Sequence, residues 1–174
     1  MHRLFFKFLI IGLLLVGCAV TPEQVSQSKI NRLANLLHTL DRKVPARESM
    51  YLSRDIFQKT RKLTEEFELT SPPLWHNFLV NVGLRKKGLC FHWSDALYLY
   101  LKKRGYQDYR FHLAGANIGE YFSEHNALVI TGKDMKVEDG VVIDPWRDSG
   151  KLYFSKVKED KKYVWSHRTD RGCK

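Results

Sequence analysis

Two hydrophobic rhythms divide this chain, a helical one up to Gly105 and a strand-like one beyond it. Ile30, Leu33, Leu37 and Leu40 recur at three- and four-residue intervals behind Ser26 and Ser28, the spacing of one apolar helix stripe after polar starting residues. A second helix is predicted from Pro45, a residue suited to a first turn, through Leu52, Ile56, Leu63 and Phe67, with a charged outer face. Ser71-Pro72-Pro73 stops it. Leu74, Trp75, Phe78, Leu79 and Val82 outline a short third helix ending at Gly83. In a fourth, Trp93, Ala96, Leu97, Tyr100 and Leu101 form the apolar face, Lys102-Lys103-Arg104 load the last turn, and Gly105 caps it. All four stripes are expected to be core.

After Gly105 the period falls to two, and residues 109–114, 125–131, 137–144, 151–157 and 161–166 are predicted as strands. Gly132-Lys133-Asp134-Met135-Lys136 supplies a turn between the second and third. A hairpin centred between Asp134 and Met135 sets His125 opposite Asp144 on one face, about 5 Å apart. A one-residue slip would separate them. The expected class is α+β, with helices packed on an antiparallel sheet.

The first residues do not belong to that domain. Met1-His2-Arg3 with Lys7 is a positive leader start, and the apolar run over 8–16 falls well short of the roughly 20 residues a membrane-crossing helix needs. Leu15-Val16-Gly17-Cys18 resembles the bacterial lipobox, which implies cleavage before Cys18 and its acylation with palmitate-type chains. Several such chains hold a protein to a membrane where one would not. The expected division is therefore 1–17 as lipoprotein signal peptide, 18–27 as a loose lipidated tether, and 28–174 as one domain with an N-terminal helical extension. Ala19, in place of Asp after the lipidated Cys, implies an outer-membrane anchor facing the periplasm.

The formal charge of +10 among 174 residues falls to +8 once Arg3 and Lys7 leave with the leader. Such a surface attracts anionic envelope polymers and lipids. The basic residues are spread over helices and loops, however, and no nucleic-acid motif accompanies them, so nucleic acid is not an expected partner.

The chemistry concentrates in Gly88-Leu89-Cys90, Glu124-His125-Asn126 and Asp144-Pro145-Trp146. A thiol attacks a carbonyl only as thiolate, and a helix N-terminus and a neighbouring imidazolium both lower its pKa from about 8.5. Cys90 lies at the head of the fourth helix, His125 and Asp144 on adjacent strands, in the order nucleophile, base, orienting carboxylate. Each has a plainer explanation: a small buried hydrophobe, a surface strand histidine, a turn start. A disulfide from Cys90 to Cys173 is a further alternative in an oxidising compartment. Zinc would favour the atoms of Cys90, His92, His112 and His125, but no second Cys pair or helical His-x-x-x-His supports a metal, and none is assigned. His38, His76 and His167 are read as scattered surface histidines. Trp146 either walls the site or joins the core, and Arg147 is expected on the solvated surface.

With Gly88, Cys90, Trp93, His125, Asp144 and Pro145 in this order, residues 75–155 resemble the transglutaminase-like cysteine proteinase superfamily. The resemblance implies a papain-like core, a Cys90-His125-Asp144 triad and acyl transfer from a peptide or amide, with no cofactor. Two positions depart from the family pattern. Asn126-Ala127 replaces the common Ala-Trp after the histidine, and no upstream oxyanion donor stands out, Trp75, His76 and Asn77 being candidates by position alone. Trp93 and Trp146 are supporting candidates. The expected function is an envelope peptidase or amidase. The alternatives are a protein cross-linking transglutaminase or a non-catalytic lipoprotein that uses the same fold as a binding scaffold.

Overall fold

The structure is a computed structural model that describes residues 19–169. Cys18, Cys173 and the leader lie outside the described residues, and with them the lipidation and disulfide readings. Among the described residues, four helices precede a five-stranded antiparallel sheet: α1 Gln27–His38, α2 Ala46–Glu66, α3 Pro73–Asn81, α4 Cys90–Arg104, then β1 Tyr109–Ala116, β2 His125–Gly132, β3 Val141–Asp148, β4 Lys151–Lys156 and β5 Ser166–His167. The strand order is β4-β3-β2-β1-β5.

The predicted stripes of α1, α2 and α4 face the core, with Ile30, Ala96 and Tyr100 only partly buried. Ser26 caps α1 by accepting from the Lys29 N–H, and Leu33, Ala34 and Leu37 face inward. In α2 the buried residues include Leu52, Ile56 and Leu63. Cys90, Trp93, Leu97 and Leu101 form the buried stripe of α4, which lies across β2 and β1. Large aliphatic and aromatic side chains from these helices meet Leu128, Ile130, Val141 and Ile143 of the sheet in the main core. The opposite face of the sheet carries smaller residues, Ala114, Ala127, Val129 and Val142, covered by Val137, Val157 and Trp165. The central strand β2 is thus buried on both faces.

Several expectations need correction. The stripe on α3 is not core: only His76 is buried in that helix, while Leu74, Phe78 and Val82 are exposed. The inward position has gone to an imidazole that bonds backbone on both sides, so the apolar residues point outward. His76 is accordingly no surface histidine. Residues 137–139 form a 3-10 turn rather than the start of a strand. The strand begins at Val141, and Gly140 just before it runs so close to β2 that a Cβ there would stand 2.7 Å from the Ile130 carbonyl oxygen. Pairing of Leu128 with Ile143, Val129 with Val142 and Ile130 with Val141 shifts the hairpin by two residues from the expected register. An even shift preserves faces, so His125 and Asp144 remain on one side as diagonal rather than direct neighbours. The last predicted strand shrinks to Ser166–His167, which pairs with β1. Finally, the segment after residue 18 is not loose. The Val20 N–H donates to the Leu69 carbonyl at 2.8 Å, and Val20 and Val25 pack against the core because both are apolar. Among the described residues, no helix is long and apolar enough to cross a membrane.

Candidate active site

Cys90 is the first residue of α4, where backbone N–H groups and the positive end of the helix dipole favour a negative charge. The turn before it is tightly built. Gly88 has φ +126°, and a Cβ at that position would stand 2.0 Å from His76 Nε2, so only glycine fits. The His76 ring accepts at Nδ1 from the Thr70 backbone N–H (3.1 Å) and donates from Nε2 to the Lys87 carbonyl (2.9 Å). Burial lowers its pKa, in keeping with this neutral tautomer. From the helix side, Trp93 Nε1 donates to the Gly88 carbonyl at 3.1 Å, and His92 turns its Nδ1 back to accept from the Gly88 and Leu89 N–H groups. Trp93 therefore braces the turn from within the core, and His92 is committed to it as well.

His125 heads β2 and Asp144 ends the regular part of β3, just before a break in the pairing with β4 at Pro145, which has no N–H to donate. Their side chains are 2 % and 1 % exposed, and His125 Nε2–H donates to Asp144 Oδ2 at 2.7 Å. A carboxylate only accepts, so the shared proton belongs to Nε2 and the exchangeable one to Nδ1. Nδ1 is buried and has no partner at an ordinary hydrogen-bond distance and angle, although the Cys90 thiol lies near enough to act on the ring. Burial is the largest influence on the ring and lowers its pKa, but Asp144 and the Cys90 thiol together overcome it and push it up to about 9. The direction of this shift favours the protonated ring. Trp146, Tyr163 and Trp165 surround the ring at centroid distances of 4.7, 4.7 and 5.4 Å.

Arg147 is not solvated. Its side chain is 7 % exposed, its Nε donates to Asp144 Oδ2 at 3.0 Å, and its two terminal nitrogens grip Asp160 at 3.1 and 2.7 Å. Its guanidinium also lies 3.7 Å above the Tyr153 ring. Burial raises the Asp160 pKa, but Arg147, Trp165 Nε1 and the Lys162 N–H outweigh it and bring it down to about 2. A bidentate pair of this kind fixes geometry as well as charge. It thereby orients the carboxylate that orients His125.

A cleft of about 800 Å³ opens onto Cys90 and His125. Asn77 and Trp146 line it, and Trp146 Nε1 donates to Asn77 Oδ1 at 3.0 Å. Indole nitrogen only donates, so the Asn77 Nδ2 donors point elsewhere. Leu74, Tyr121 and Phe122 form apolar parts of the rim, Phe122 being 96 % exposed. Trp75 is not in the lining and stacks on Phe78 at 5.2 Å.

Of the residues singled out in the sequence, the fold brings together Cys90, His125, Asp144, Trp146 and Asn77, assigns Trp93 to bracing and leaves Trp75 outside. Sequence reasoning missed Asp160, Arg168 and the direct contact of Asn126 with the thiol, a 3.6 Å bond from Nδ2 to Sγ. The polar run Ser123-Glu124-His125-Asn126, leading directly into the apolar run 127–130, was the available signal. Among the described residues no group of three or more His, Cys, Asp or Glu side chains could hold a metal. His112 instead bonds Thr131 Oγ1 at 3.0 Å.

Comparison with protein-family models, with curated proteins and with solved structures found no match.

Proposed function

We propose that this chain is a thiol-dependent acyl-transfer enzyme of transglutaminase-like type with a papain-like core, acting as a peptidase or amidase of the bacterial envelope. The observation that carries the reading is a thiol at the head of α4, acting on a buried imidazole whose far nitrogen is bonded to a carboxylate, at the floor of an open cleft. The resting pair is thiolate and imidazolium. Cys90 Sγ attacks the amide carbonyl, forming a carbon–sulfur bond, while Nδ1 of His125 passes its proton to the departing amine as the carbon–nitrogen bond breaks. Water, losing a proton to Nδ1, then releases the acid and regenerates the thiolate. Asp144 holds the ring's tautomer through Nε2. The Cys90 N–H and Asn77 Nδ2 are the donors for the oxyanion. No cofactor enters this scheme. The leader supports an anchor at Cys18 and a site outside the cytoplasm.

The decisive experiment is competitive alkylation of the full chain with iodoacetamide at pH 6, mapped by mass spectrometry. Cys90 is expected to react far faster than Cys173. Equal, slow labelling of both would refute an activated thiol and leave the scaffold reading. A Cys18→Ser variant should leave the membrane fraction, and one that remained there would refute the anchor.

A further inference from the structure

Strand alternation separates two neighbours that both reach the thiol. Leu128 and Ile130 of β2 belong to the core beneath α4, whereas Ala127 and Val129 belong to the opposite face. Side chains alternate along a strand, so Asn126 shares the α4 face and His125 the other. Asn126, not the histidine, is therefore the β2 residue presented toward the helix that carries Cys90. Its Nδ2 lies 3.6 Å from Cys90 Sγ, and its Oδ1 accepts from Arg168 Nη1 at 3.1 Å.

This second contact decides what the first one is. Oxygen and nitrogen of an amide are easily interchanged in a structure, and the surrounding network must assign them. Arginine has donors only. The atom facing Arg168 must be the oxygen, so the atom facing the sulfur must be the NH2 group. Arg168 is itself held: it is 7 % exposed, pairs with Glu124, and its backbone N–H donates to the Leu113 carbonyl at 2.9 Å. Glu124 in turn accepts from the Gly119 N–H at 2.9 Å. A chain of a part-buried Glu124 and the buried Arg168 and Asn126 thus aims one N–H at the reactive atom.

On the reading of Cys90 as nucleophile, we infer that Asn126 is a further catalytic residue whose side-chain N–H stabilises the thiolate, and that Arg168 is a positioning residue that fixes the direction of that N–H. A donor to sulfur favours its charged form and opposes protonation. The helix head, the imidazolium and this amide then act on one sulfur from three sides. The polar residue that follows His125, in a position the resembling family fills with alanine, gains a chemical reason.

The test is the pH dependence of Cys90 alkylation in the full chain, each site identified by mass mapping. Asn126→Ala is expected to raise the midpoint for thiolate formation by about one pH unit, a tenfold loss of thiolate on the acid side. The double variant Glu124→Gln with Arg168→Gln, which keeps Asn126 but removes its charged support, should shift it the same way by less. A folded Asn126→Ala with an unmoved midpoint overturns the inference. In the unaltered protein, the 15N-labelled Asn126 side-chain amide should titrate with the thiol midpoint, and a flat resonance overturns the inference even where a variant does not fold. An ordinary wild-type midpoint near 8.5 would instead sink the nucleophile reading itself, which separates the two failures.

Discussion

The sheet is held against α4 and stabilised at its β2 head by opposite means. Beneath α4, Leu97, Leu101, Leu128 and Ile130 are apolar and fully buried, and their attraction has no direction. At the β2 head, His125, Asp144, Asn126 and Arg168 are buried and the side chains of Arg147 and Asp160 nearly so, but each is held by directed bonds between charged or polar groups. A nonpolar core tolerates a change of shape and loses stability in proportion to the cavity. A buried polar network loses the full desolvation cost of whatever is left without a partner. The contrast implies that both regions hold the fold together, but that only the polar network makes its contribution depend on each partner being present and thereby defines where the proton sits.

The largest break in this comparison comes from Cys90→Ala, which should reduce turnover by at least about 10³-fold while changing unfolding free energy by no more than about 1–2 kcal/mol. Steady-state kinetics and urea titration on the same sample measure both. Arg147→Met removes the cation between two buried carboxylates, and a loss of about 3–5 kcal/mol is expected in urea unfolding. A loss under 1 kcal/mol would mean that the network is not structurally coupled. Leu97→Ala should cost about 2–5 kcal/mol, yet leave the pH midpoint of Cys90 alkylation where it is. If that midpoint moved by a unit, core and site would not be separable in the way drawn above.

A subtler discrimination uses pH. The folded His125 pKa of about 9 exceeds its ordinary value of 6.5, so the protonated ring stabilises the fold fully below 6.5 and that contribution disappears as pH rises through 9. The stability gap between the wild-type protein and His125→Gln should therefore be widest in acid and close toward pH 9, as read from thermal unfolding across that range. The smallest effect is expected at the rim. Phe122→Ser should leave stability within about 0.5 kcal/mol and raise KM for substrates with apolar side chains.

The apolar periods of α1, α2 and α4 sufficed to place those helices, because burial of a stripe repeats every turn and leaves a record along the chain. The same stripe misled at α3, where one buried imidazole, bonded to Thr70 and to the Lys87 carbonyl, turned the apolar residues outward. Period two put His125 and Asp144 on one face even though the register differed by two residues, since parity survives an even slip. Gly88 before Cys90 was visible as a motif, but its necessity comes from His76, a residue twelve positions earlier. Asp160 beneath Arg147, Arg168 behind Asn126 and the docking of Val20 had no periodic trace. Composition and rhythm along the chain determined which segments could be helix or strand and which side each residue would take. Only the tertiary fold decided which charges met, because a pairing between distant residues depends on where the backbone brings them and not on the residues that flank them.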